Sequence, residues 1–214
     1  MKFVLFAEGH TEKKALPDFF KRWLDPQLPL PIGIKVVRFE GWNDYYAEIA
    51  TKVRLNLSGK AGADVVAAIG LLDLYGPTFY PSDKSTALER YSWAKQHIEE
   101  RVNHPRFRQH FAIHETEAWL LSDLSDASPL PRAVKAALPG RCGKPETVNF
   151  DEPPARLLDR LYGEKLRRKY KKVTDGANLF QGLSPEVART KCPHLRLLLE
   201  DMLALAKAAS ETSL

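Results

Sequence analysis

The sequence predicts an α/β protein, a mainly parallel β-sheet flanked by helices and followed by a basic helical extension. Two observations carry that prediction. Short apolar runs alternate with stretches of helical periodicity as far as Glu115. The most apolar run, Val65–Asp73, is nearly continuous, as expected of a strand covered on both faces. Composition agrees, since 44% hydrophobic and 28% charged residues in a chain of 214 is an ordinary globular balance. A core of this size is stable without staples.

Residues 2–7 read as the first strand. A helix follows over residues 11–24, with Leu16, Phe19, Phe20 and Trp23 on one face. Pro26, Pro29 and Pro31 mark a loop. Residues 34–39 form the second strand, and Asn43 is placed to cap a helix ending near Ser58-Gly59. After strand three and a Gly76-Pro77 turn, residues 82–102 are helical and 107–114 form strand four. Strands joined by helices in this order run parallel, because the crossover returns the chain to the same sheet edge. Beyond Glu115 the pattern becomes helical or irregular, with helices expected over 118–121, 131–138, 153–162 and 193–208 and a turn-rich basic link over 139–149. The expected division is an α/β core over residues 1–125 and a basic helical extension, packed on it, over 126–214.

Charge separates the same two parts. Residues 1–100 carry thirteen basic and thirteen acidic side chains, and the remainder holds the whole surplus of +5. The densest run is Lys165, Arg167, Arg168, Lys169, Lys171 and Lys172 around Tyr170, a patch able to track a phosphate backbone, or else a solvated helix face and loop. Residues 1–7 are too short for a signal-peptide core, and no apolar stretch approaches the ~20 residues that span a bilayer, so a cytoplasmic protein is expected. Cys142 and Cys192 stand far apart with no zinc-like spacing and read as reduced, buried thiols. Neither a phosphate-binding P-loop nor a dinucleotide fingerprint is present, which disfavours ATP hydrolysis and dinucleotide binding by this chain.

Acids follow three of the four strands. Glu8-Gly9-His10-Thr11-Glu12 comes after strand one, Asp73-Leu74-Tyr75-Gly76 ends strand three, and His114-Glu115-Thr116-Glu117 ends strand four. Ligands of open parallel sheets bind outside the carboxyl ends of the strands. Carboxylates gathered there repel one another unless a cation lies between them, and hard oxygen donors suit Mg²⁺ or Mn²⁺. Each acid has a plainer alternative. Glu12 complements a helix dipole and Asp73 caps a turn. Of Glu115 and Glu117, two residues apart across a strand-to-helix change, one faces the site, and Glu115 is favoured as the nearer to the strand end. His114 reads as a hydrogen-bonded junction residue and Trp119 as core.

These motifs resemble the Toprim fold of topoisomerases, primases and overcoming-lysogenization-defect nucleases. The fuller set resembles the bacterial domain-of-unknown-function family 4276, described as Toprim-like. It comprises Glu8-Gly9-x-Thr11-Glu12, Asp73-Leu74-Tyr75-Gly76, His114-Glu115-x-Glu117-Ala118-Trp119 and Lys191-Cys192-Pro193-His194-Leu195. The resemblance implies that Glu8 is a metal ligand or general acid/base and that Asp73 holds Mg²⁺. Tyr75 stands where the Toprim pattern has a second Asp, leaving Glu115, Glu117 or Asp83 to supply that carboxylate. It also implies a defence-associated nuclease working with an ATPase. The reading is a phosphodiesterase acting on DNA or RNA, with Glu8 and Asp73 catalytic. Glu8, Glu12, Asp73, Glu115 and Glu117 bind Mg²⁺ or Mn²⁺, and the Lys165–Lys172 patch holds nucleic acid. The alternative is a non-catalytic Toprim module that binds nucleic acid or the ATPase.

Overall fold

A computed structural model describes residues 1–147 and 152–212; the final residues of the link at 139–149 lie outside the described residues. Strands β1 (Lys2–Glu8), β2 (Gly33–Phe39), β3 (Val65–Asp73) and β4 (Phe107–Ala112) form one sheet in the order β2-β1-β3-β4. Every pairing is parallel. The chain first steps from β1 to β2 on one side, then returns to place β3 on the other. The strand order therefore reverses between β1 and β3, the point where open α/β sheets leave a crevice at their carboxyl edge. Glu8 is the last residue of β1 and Asp73 the last of β3.

Alternation along the strands sends side chains to two cores. On one face Phe3, Leu5, Ile69 and Leu71 pack under helix α1 (His10–Leu24) and the C-terminal helices. On the other, Val4, Phe6, Ala68 and Leu72 pack under α2 (Trp42–Leu57) and α3 (Ala87–Val102). Burial on both faces is why β3 reads as an unbroken apolar run.

Three boundaries differ from expectation for local reasons. Helix α3 begins at Ala87 and not near residue 82, because Thr86 and Glu89 form a reciprocal capping box. Helix α2 is preceded by Gly41 at φ 105°, which displaces Asn43 from the cap into the first turn. Strand β4 ends at Ala112, since His114 adopts φ 65° and turns the chain out of the sheet.

Past that turn come α4 (Glu117–Leu120), α5 (Arg132–Lys135), α6 (Pro154–Leu166), α7 (Ala177–Gly182), α8 (Pro185–Lys191) and α9 (Pro193–Thr212). Helices α7 and α8 are too short to show a period in the sequence. The α1 core joins both halves of the chain. Trp119, fully buried, stacks on Phe19 at 6.3 Å, and Phe180 meets Phe19 edge-on at 5.4 Å. Each such aromatic contributes roughly 1.5–3 kcal/mol through burial. Cys142 and Cys192 are free and buried, and burial raises both thiols. Among the described residues no helix is long and apolar enough to cross a membrane.

Candidate functional site

The carboxyl ends of β1 and β3 open into a cleft of about 390 Å³ lined by Glu8, Glu12, Asp73, Arg38, Glu40 and Lys172, among others. Gly9 makes its first wall possible. It adopts φ 90°, and a Cβ there would stand 2.3 Å from Glu12 Oε2, so only glycine lets Glu12 fold back over the start of α1. Glu12 is 5% exposed, too buried for a simple helix-dipole partner.

The turn after β4 contacts these acids. Thr116 N donates to Asp73 Oδ1 at 3.1 Å, and Thr116 Oγ1 donates to Glu12 Oε1 at 3.3 Å. Thr116 thus ties together acids from β3 and α1. Glu117 is fully buried next to Thr116, and its Oε1 has no hydrogen-bond partner among the described residues. Glu115 was the residue expected to face inward. Its Oε2 instead accepts from Ala155 N at 2.8 Å, at the start of α6. After the left-handed turn at His114, Glu117 meets Lys172 directly while Glu115 is held by the α6 backbone, though its charge also acts on Lys172. His114 is buried, with its ring held below the usual imidazole range by burial. Asp83 is exposed, paired with Lys84 at 2.6 Å, and does not line the cleft.

Lys172 is the unexpected member. The basic run splits: Lys165, Arg167, Arg168, Lys169 and Lys171 are exposed, but Lys172 turns inward and its Nζ lies 3.1 Å from Glu117 Oε2. Its position is built by neighbours. Tyr170 N donates to Asp159, and Asp175 receives Arg168 in a two-pronged pair at 2.8 and 3.0 Å and Lys171 N at 2.7 Å. Gly176 leaves room for the Tyr170 hydroxyl, which a Cβ would approach to 2.8 Å. A π-helical turn over Lys172–Gly176 results. The role of Lys172 had no distinguishing signal in a run of like residues.

Electrostatics follow from one ammonium facing several carboxylates. Burial raises Asp73 well above the usual carboxylate range, and Glu12, Glu117 and Glu8 push it further while Lys172 opposes them. Burial likewise raises Glu8, against a hydrogen bond from the Asp73 main chain. Glu117 is raised by burial against the pull of Lys172. Burial would lower Lys172, yet Glu117, Asp73, Glu12 and Glu115 together carry it above its ordinary value. Glu12 is pushed up by burial from 4.5 to about 7.

That last shift gives a pH prediction. Between 4.5 and about 7 the folded state holds a proton on Glu12 that the unfolded chain has released. Stability contributed by that proton is present below the unfolded pKa and lost as pH rises through the folded one. Melting of the cation-free protein should therefore fall from pH 5 to pH 8, by up to about 3 kcal/mol in stability at ~1.4 per pH unit. Glu12→Gln should flatten the profile, and an unchanged slope would remove Glu12 as its source.

The donor chemistry suits a hard divalent ion, because carboxylate oxygens surround the cleft and one buried Glu117 oxygen lacks a partner. As arranged around Lys172, no group of three or more His, Cys, Asp or Glu side chains among the described residues is gathered closely enough to hold a metal ion.

Comparison with known proteins adds a family and four solved structures. The family described as "Domain of unknown function (DUF4276)" matches residues 7–203. The chain is similar to the C-terminal region of the Burkholderia pseudomallei OLD protein, at 17% identity and TM-score 0.46, covering 95% of this chain and 98% of that one. It is also similar to the C-terminal region of the Xanthomonas campestris pv. campestris OLD protein, at 20% identity and TM-score 0.46, covering 98% and 97%. Among curated proteins nothing matches.

Proposed function

The chain belongs to the family described as a domain of unknown function (DUF4276), and from its carboxylate cleft we propose that it is a divalent-metal-dependent phosphodiesterase acting on DNA or RNA. One observation carries this reading. Carboxylates that follow three strands, Glu8 and Glu12, Asp73, and Glu117, lie within electrostatic reach of one another at the point where strand order reverses, with Lys172 opposing them. Burying so many like charges is costly, buried charges are ordinarily paired or bound to metals, and perturbed groups gather at functional sites. Glu8, Asp73, Glu12 and Glu117 are the residues that would hold Mg²⁺ or Mn²⁺. When bound, such an ion supplies charge stabilisation and orientation to a phosphodiester undergoing in-line displacement.

The chain's own residues have separate parts in this proposal. Thr116 fixes Asp73 and Glu12 relative to each other. Lys172 neutralises Glu117 in the cation-free protein and would offer its positive charge to a phosphate held in the cleft. Arg38, at the rim and paired with Glu40, is positioned to meet a phosphate. A partner ATPase and a defence role belong to this same proposal.

A second reading is favoured by Lys172 and Tyr75. An ammonium already occupies the acid cluster, and Tyr75, where a second Asp would stand, is 47% exposed. On that reading the chain is a non-catalytic module that binds nucleic acid or the ATPase. One experiment separates them: plasmid, single-stranded DNA and tRNA incubated with Mg²⁺, Mn²⁺ or EDTA, with and without an ATPase encoded nearby. Metal-dependent cleavage is expected. Binding indifferent to EDTA, with no cleavage under any condition, would leave the second reading standing.

A further inference from the structure

Beside the acidic cleft, a set of aromatic rings packs over the α2–α3 core and stays partly open to solvent. Beneath it, Tyr45, Ile49, Ile98 and Val102 already close the α2–α3 side of the sheet. Above them Trp42, Tyr46, Phe79, Tyr80, Trp93 and His97 are only half-buried. Phe79, on the loop between β3 and α3, is the hub, with Trp42 at 5.7 Å, Tyr46 at 5.2 Å and Trp93 at 5.8 Å. Trp93 stacks on His97 at 4.5 Å with planes 14° apart, and His97 lies 12° from the plane of Tyr46. A hydrogen bond of 2.8 Å between the Tyr46 hydroxyl and His97 Nε2 locks the two rings.

Charge accompanies the rings. The Arg101 guanidinium sits 4.4 Å over Tyr46, and that of Arg90 lies 5.2 Å over Tyr80. Their hydrogen bonds go to the carbonyls of Tyr46 and Lys84, so among the described residues neither charge is met by a carboxylate. The surface also runs into the cleft. A Cβ on Gly76 would lie 3.7 Å from Glu8 Oε1 and 3.8 Å from Trp42 Cδ1, so carboxylate and indole flank one residue.

We propose that this face binds single-stranded nucleic acid, stacking bases on its aromatic rings and pairing phosphates with Arg90 and Arg101, and feeds the strand past Trp42 to the carboxylates. Partly exposed aromatic rings with cations beside them are the arrangement that holds unpaired bases without reading their sequence. A duplex hides its base faces and gains nothing from such rings. The proposal deepens the phosphodiesterase reading by naming its substrate class, and it rests on that reading only for the direction of feeding.

The test is binding of a fluorescent oligothymidylate and of the same length of duplex, in EDTA, by the full chain and by Trp93→Ala, Trp42→Ala and Arg101→Gln. The single strand should bind more tightly than the duplex and quench tryptophan fluorescence. Trp93→Ala and Trp42→Ala should each weaken it about tenfold. Arg101→Gln should lessen the salt dependence by about one ion. Melting curves identify variants that fail to fold, and for those Trp93→Phe, which keeps a ring, should restore binding. Equal affinity for duplex would overturn the proposal. So would binding unaffected by the ring variants but lost on charge reversal at Lys165 and Lys169, which would assign nucleic acid to the exposed basic loop. Dimerisation abolished by Trp93→Ala, with no oligonucleotide binding, would assign the face to a second copy. Single-strand binding without cleavage would defeat only the phosphodiesterase reading.

Discussion

Lys172→Met is expected to destabilise the cation-free protein by about 2–3 kcal/mol at pH 8. Losing one partner of a buried pair costs ~3–5 kcal/mol, and here solvent screens part of it because the Lys172 side chain is 40% exposed. The effect should shrink toward pH 5.5, where Glu12, raised to about 7, and the other raised carboxylates take up protons. Millimolar Mn²⁺ should raise the melting temperature of Lys172→Met more than that of the parent, since the cation then meets carboxylates without a competing ammonium. Lys172→Met/Glu117→Gln should recover most of the loss by removing the stranded charge. Thermal melts across pH with and without Mn²⁺ measure all of this. Equal melting temperatures for parent and Lys172→Met would show that the ammonium contributes nothing to holding the cluster.

Asp73→Asn is expected to separate stability from activity. The amide retains the Oδ1 acceptor for Thr116 N but removes the charge that Glu12, Glu117 and Glu8 oppose. Melting temperature should rise by a few degrees, as when strain held for function is relieved. Metal-dependent cleavage should fall by about 10²–10³-fold, the range for losing one preorganised electrostatic contact to the reacting group. Glu8→Gln should cost a similar factor. Full cleavage by either variant, in initial rates at saturating Mn²⁺, would remove that residue from the reaction.

The site was partly legible before the fold. Glu8, Glu12 and Asp73 could be found because each follows an apolar run, and the end of a strand is a local property. A place nearer the strand end favours Glu115 over Glu117, whereas it is Glu117 that the fold sets against Lys172, with Glu115 accepting from the α6 backbone. The run around Tyr170 showed its charge, yet not that one of its lysines leaves the surface. That depends on Asp159 and Asp175 holding the turn. The aromatic face was invisible as a unit because Trp42, Phe79 and Trp93 belong to three separate segments.

The sequence by itself therefore determined the parallel α/β architecture and the placing of acids at strand ends, since strand periodicity and the order of elements are written in near neighbours. Only the tertiary structure decided which acids meet and what opposes them. Glu12 reaches Thr116 across 104 residues of chain, and Lys172 arrives from the helical half. Those encounters are set by the packing of α1 and the C-terminal helices on the sheet, which no local pattern encodes.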